Sequence, residues 1–125
     1  MARARKATSV ARPVTWKDVC ALARALPETA VSTSYGTPSL KVKGKFLLRL
    51  KEDGETLAMR MGFLDRDLLM RAAPRTFYIT DHYRDYPAVL VRLATVDRSQ
   101  LAELLENAWR LVAPQRVVKE FDAAR

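Results

Sequence analysis

One cysteine and one histidine in 125 residues leave little for metal or covalent chemistry. Cys20 alone forms no internal disulfide and no multi-thiolate metal site, and His82 alone removes the usual zinc and non-haem iron ligand sets. A nucleophilic pair of the two would need a reactive thiol, but Cys20 falls on the inward side of a helical pattern, where thiols are inert. Long apolar runs are missing as well. No stretch approaches the ~20 residues that cross a bilayer, so no membrane partner is expected. Residues 1–13 are basic but lack the apolar stretch of a signal peptide, and a cytoplasmic location is the expectation. A phosphate loop is also absent, because no glycine precedes Gly44-Lys45 at the needed spacing and Phe46 replaces the metal-binding hydroxyl. No cofactor is expected.

What remains is one ordinary domain. With 49% hydrophobic residues, a chain of this length buries roughly two thirds of its unfolded surface, so a single core over residues 14–125 is expected. Charge is the other conspicuous property, with 22 Lys and Arg against 14 Asp and Glu for a net +8. Half of that excess, Arg3, Arg5, Lys6 and Arg12, sits in residues 1–13 with no acid among them. This segment is expected to be a disordered basic tail that either holds phosphate or solubilises the chain.

Periodicity then sets the elements. Thr15 and Asp18 form a capping-box-like pair, Val14 can staple onto Val19, and Trp16, Val19, Cys20, Ala23 and Leu26 recur at helical spacing before Pro27. From residue 30 to 93 the pattern turns to short strands: 31–34, a turn at Tyr35-Gly36-Thr37-Pro38, then a strong alternation over 40–51. There Leu40, Val42, Phe46, Leu48 and Leu50 are expected on one face, and Lys41, Lys43, Lys45, Arg49 and Lys51 on the other. Gly44 and Leu47 interrupt the pattern. The Glu52-Asp53-Gly54-Glu55 turn leads to a partner strand with Leu57, Met59 and Met61, hence an antiparallel hairpin. A helix over 65–73 follows, with Leu64, Leu68 and Ala72 on one side, then strands over 76–80 and 88–94. The final helix is capped by Asp97, buries Leu101, Leu104, Leu105, Ala108, Leu111 and Val112, and is closed by Pro114. The fold class is α+β: a single antiparallel sheet with N- and C-terminal helices packed on one face and the other face open to solvent.

Three stretches resemble the MmcQ/YjbR family. They are Tyr35-Gly36-Thr37-Pro38-Ser39-Leu40-Lys41-Val42-Lys43-Gly44-Lys45-Phe46, then Asp81-His82-Tyr83, then Ala108-Trp109-Arg110-Leu111-Val112-Ala113. The resemblance runs over residues 15–114 and implies a CyaY-like fold, a sheet backed by two helices, together with the family's customary label of DNA-binding protein. Frataxins share that fold and are similar to iron donors that use an acidic first helix. Residues 15–28 hold only Asp18 and Glu28 against Lys17 and Arg24, so that role does not carry over.

The lysine row has the most chemical content. Side chains two apart on a strand face lie ~6.5–7 Å apart, compatible with successive phosphates, and Arg60 and Arg92 on neighbouring strands would widen the row into a patch. A solvent-facing sheet also needs polar residues in any case, and lysines deter edge pairing. The expected function is weak, largely sequence-independent binding to DNA or RNA phosphate backbones through Lys41, Lys43, Lys45, Arg49, Arg60 and Arg92. No helix carries the basic and amide cluster of a major-groove reader. Tyr35, Tyr78, Tyr83 and Tyr86 are the rings on which bases could stack.

Two other classes stay open. A protein-interaction adaptor would use the open face, with Leu47 at its centre, or an exposed sheet edge. A small-molecule or enzymatic site would gather His82 and Tyr83 with Asp81, Asp85 and Tyr86, His82 acting as a base oriented by an aspartate. No serine or cysteine nucleophile is placed beside them, so a non-enzymatic protein is expected, and a loop histidine more often bonds backbone. Trp109 reads as a partly buried anchor.

Overall fold

Two glycine-bearing pairs decide how the strands lie. The structure, a computed structural model, describes residues 12–125. Of the expected tail, residues 1–11 lie outside the described residues. The first pair, Tyr35-Gly36, joins β1 (Thr29–Ser34) to β2 (Thr37–Val42), and the second, Lys43-Gly44, joins β2 to β3 (Lys45–Leu50). Ser34 pairs with Thr37 and Val42 with Lys45, so both loops have two residues, and all four φ angles are positive at 53°, 80°, 48° and 83°. These are type I′ turns, whose twist matches that of the flanking strands.

The second turn corrects the expectation of one strand over residues 40–51. Its glycine reverses the chain where a strand interruption was expected, and Lys43 sits in the turn. Lys45 pairs with Val42 and so lies on the helix side of the sheet. A bulge follows, because Leu48 pairs with Leu40 but Phe46 with Lys41, leaving Leu47 as the extra residue. Leu47 and Leu48 both enter the core, fully buried, and Phe46 passes to the opposite face. The expected Lys41-Lys43-Lys45 row does not exist, and Leu47 is not on a surface.

The remaining elements are α1 (Trp16–Ala23), β4 (Thr56–Arg60), α2 (Phe63–Ala72), β5 (Phe77–Tyr78), a 3-10 turn (Asp81–Tyr83), β6 (Ala88–Arg92), α3 (Arg98–Val112) and α4 (Gln115–Ala123). All strands join one antiparallel sheet in the order β1-β2-β3-β4-β6-β5. One face carries Leu40, Val42, Leu48, Leu57, Met59, Val89 and Val91, which form a single core with Val19, Leu101, Leu105 and Trp109 of α1 and α3. The caps are those expected: Thr15 and Asp18 exchange both bonds of the capping box, and Asp97 accepts from the Gln100 amide. Cys20 packs against the core, and burial pushes its thiol pKa up.

Several helical expectations change. α3 ends just before Pro114 as expected, but it is not the last helix: Pro114 also stands at the N-cap of α4, since proline is tolerated where a helix begins. α4 buries Val117 and lays Phe121 edge-on against Trp109 at 4.9 Å. Trp109 is consequently buried completely, its indole N–H donating to the Pro27 carbonyl at 2.9 Å, and Leu111 is turned out, 61% exposed. On α2 the expected side is likewise reversed: Leu64, Leu68 and Ala72 face outward, and Leu69, Met70 and Ala73 pack on the core.

Candidate functional site

Cross-strand pairing builds the second face of the sheet. Lys41 lies opposite Phe46, Arg49 opposite Ser39 and Ala58, and Arg60 opposite Ala88, which places three cations from three adjacent strands on this face. The face is not open, as the strand alternation implies it should be. Ser39, Ala58 and Leu90 are all at most 2% exposed, and two walls, one from the segment His82 to Pro87 and one from the Tyr35 turn, border the sheet on this side.

Arg66 of α2 fixes the first of these walls. Its guanidinium donates to the carbonyls of Tyr83 (3.0 Å), Tyr86 (2.8 Å), Ala88 (3.2 Å) and Arg84 (3.1 Å). A planar fork of five N–H donors can serve four carbonyls spread around it; a lysine ammonium has only three donors on one point charge. Arg66 is 6% exposed, its Nε is 4.0 Å from Asp67, and Phe63 stacks on its guanidinium at 4.8 Å. The charge is thus held mainly by backbone dipoles.

Between the walls lies a groove of about 720 Å³, large enough for a small ligand or a few units of a polymer. Lys41, Arg49 and Arg60 line its floor, Phe46 lies among them, and Tyr35, His82, Tyr83 and Tyr86 line its sides. No Asp or Glu lines it. Among the described residues Lys41 and Arg60 meet no carboxylate, and the Arg60 Nε reaches only the Phe46 carbonyl at 3.5 Å. Arg49 is more constrained: it donates to Thr37 Oγ1 at 3.1 Å, pairs with Glu52 at 3.4 Å, and stacks on Tyr35 at 5.2 Å. His82 contacts Tyr83 edge-on at 4.9 Å and Tyr86 at 5.8 Å, making one aromatic cluster. Lys51 adds a fourth cation just outside, its Nζ 5.3 Å from the Tyr83 ring.

The groove therefore gathers Lys41, Arg49, Arg60, His82 and Tyr83 of the residues singled out from sequence, together with Tyr35 and Tyr86 of the candidate stacking rings. Lys43 and Lys45 are separated from it by the turn and register described above. Arg92 shares the face but stacks its guanidinium on Tyr78 at 4.1 Å, outside the groove. Phe46 and Arg66 were missed. Phe46 reads as inward in any unbroken alternation, and Arg66, flanked by Asp65 and Asp67, reads as a solvated helix charge. The Asp81 carboxylate does not orient His82 but pairs with Arg84 at 2.6 Å. Among the described residues no cluster of three His, Cys, Asp or Glu side chains could hold a metal ion, and no helix is long and apolar enough to cross a membrane. A smaller cleft of about 320 Å³ between α2 and α3 is mostly apolar, with Asp65 and Arg60 among its lining residues.

The YjbR family profile matches residues 24–111, the greater part of the described fold. The chain belongs to the YjbR family. Two of the three stretches that carry the resemblance, at 35–46 and 81–83, meet in the groove, and the third, at 108–113, holds Trp109 in the core. This YjbR protein is 32% identical over 124 residues to Rv2570 of Mycobacterium tuberculosis and to Mb2600 of Mycobacterium bovis, covering 86% of this chain and 95% of each relative. Its fold is similar to the crystal structure of Deinococcus radiodurans DR2400, which contains a DUF419 domain. The TM-score is 0.71 at 22% identity, over 87% of this chain and 88% of that one.

Proposed function

We propose that this YjbR protein binds single-stranded nucleic acid along the groove of its second face, weakly and with little base preference. The observation that carries the reading is a concave surface with three cations, a cluster of rings and no carboxylate. That combination meets both needs of a single strand, positive charge along the backbone and ring faces for the bases. The groove crosses from β1 to β6, four strand spacings or ~19 Å, which suits a short segment. The groove is lined by strands and loops and carries no Asn or Gln, and it presents no helix or ribbon that would enter a duplex groove to read base edges. Lys41, Arg49 and Arg60 contact phosphates in this reading, and Lys43, Lys45 and Arg92 contribute only at a distance.

Three phosphate contacts correspond to a salt slope near −2 for a single strand, so affinity should fall roughly twentyfold between 50 and 200 mM salt. Fluorescence anisotropy with labelled oligo(dT) and oligo(rU) measures this directly. The paired substitution Lys41→Glu and Arg60→Glu should abolish binding, and Lys43→Glu with Lys45→Glu should change it by less than about threefold, since both sit outside the groove. Failure to bind either oligomer at 50 mM salt, or equal binding by the groove variant and the wild type, rules the proposal out.

A further inference from the structure

Tyr35 occupies a backbone position that works against it. It is the first central residue of the β1-β2 turn, with φ +53°, where Asn or Gly is the usual occupant. A bulky side chain in that left-handed region is strained. Burial does not repay the strain, because Tyr35 is 83% exposed, and its ring contact is the Arg49 guanidinium beneath it. The ring lines the groove, carried on the β1-β2 turn, whereas Tyr83 and Tyr86 belong to the segment before β6. Lys43 supplies an internal comparison, since it holds the same position in the next turn, with φ +48°, but does not line the groove.

We infer that Tyr35 is a stacking platform for an unpaired base and that the groove therefore selects single strands over duplexes. The inference rests on the nucleic-acid reading above and adds the group that distinguishes the two forms. A duplex keeps its bases stacked on one another and presents phosphates outward, so it offers no ring face to Tyr35. An unpaired base does, and Arg49 below the tyrosine lies close enough for the adjoining phosphate.

The test combines thermal unfolding with anisotropy on wild type, Tyr35→Asn, Tyr35→Trp and Lys43→Asn. The ligands are short oligo(dT), an abasic oligomer of equal length, a duplex, and thymidine monophosphate. Tyr35→Asn should hold or raise Tm by up to about 4 °C through relief of strain, and should weaken oligo(dT) binding about five- to a hundredfold, the loss typical of one stacked base. Tyr35→Trp should retain binding. Lys43→Asn should hold or raise Tm and leave binding unchanged. The abasic oligomer and the duplex should bind wild type weakly and be insensitive to Tyr35→Asn.

A clear fall in Tm for Tyr35→Asn would assign the tyrosine to the fold instead. Equal binding of the abasic or duplex ligand, or no effect of Tyr35→Asn on oligo(dT), would overturn the stacking role and leave phosphate binding by the groove intact. Thymidine monophosphate binding as tightly as the oligomer would replace the strand with a free nucleotide. If no oligomer binds wild type at all, the underlying nucleic-acid reading fails as well.

Discussion

Arg66 is the side chain on which the groove's shape depends. It reaches from α2 to carbonyls 17 to 22 residues away along the chain and converts an otherwise irregular segment into a fixed wall. Removing it takes a donor from four carbonyls in a partly buried setting, of which those of Tyr83 and Tyr86 keep the Tyr86 and Ala88 amides. Arg66→Ala should therefore destabilise the protein by about 2–4 kcal/mol. Arg66→Lys keeps the charge but loses the fork, and should recover only part of that. Urea denaturation gives the stability change, and hydrogen exchange of the amides between residues 83 and 88 shows where it falls. If Arg66→Ala leaves both unchanged, the guanidinium does not hold the wall. No local pattern marks Arg66, since its partners are backbone oxygens whose positions exist only after folding.

The helices and strands respond to different parts of the sequence. Helix caps are local, and here they are doubly used. Asp18 closes the α1 capping box and also accepts from Arg12 at 2.8 and 3.1 Å and pairs with Arg98 at 2.9 Å, tying the start of α1 to the start of α3. Hydrogen bonds from Arg12, then from the Thr15 amide, hold its carboxyl well below the usual carboxylate range. The folded form thus releases the proton more readily than the unfolded form. The stability that results is complete above pH ~4, the ordinary aspartate value, and is lost as pH falls below it. Asp18→Asn should accordingly lower Tm at pH 7, and the gap from wild type should narrow as pH drops from 4 towards 2. Thermal scans across that range would refute the assignment if the gap stayed constant. Strands are less local. The alternation over residues 40–51 is present in the chain, but Lys43-Gly44 turns it back on itself and Leu47 shifts its phase, so Lys43, Lys45, Phe46 and Leu47 depart from a continuous reading.

At the scale of the whole molecule, a ligand bound across five strands and two walls should be lost when the sheet unfolds. Oligo(dT) at ~100 times its dissociation constant should then stabilise the protein by about 2.7 kcal/mol, raising Tm at low salt, and the effect should vanish at high salt where phosphate contacts are screened. Thermal shifts that persist at high salt would point to apolar binding elsewhere. Composition and periodicity by themselves determined the α+β class, the two capped helices, the strand-rich middle and a cationic character, because these depend on residues within a few positions of one another. Seven groove residues, Tyr35, Lys41, Arg49, Arg60, His82, Tyr83 and Tyr86, were legible for the same reason: each is a charged or aromatic residue in a readable strand, turn or loop. Only the tertiary structure decided which of the cations converge and that aromatic rings close over them. That outcome rests on two left-handed turns, one bulge and one buried arginine, whose effects pass through pairing between distant segments and leave no periodic trace in the chain.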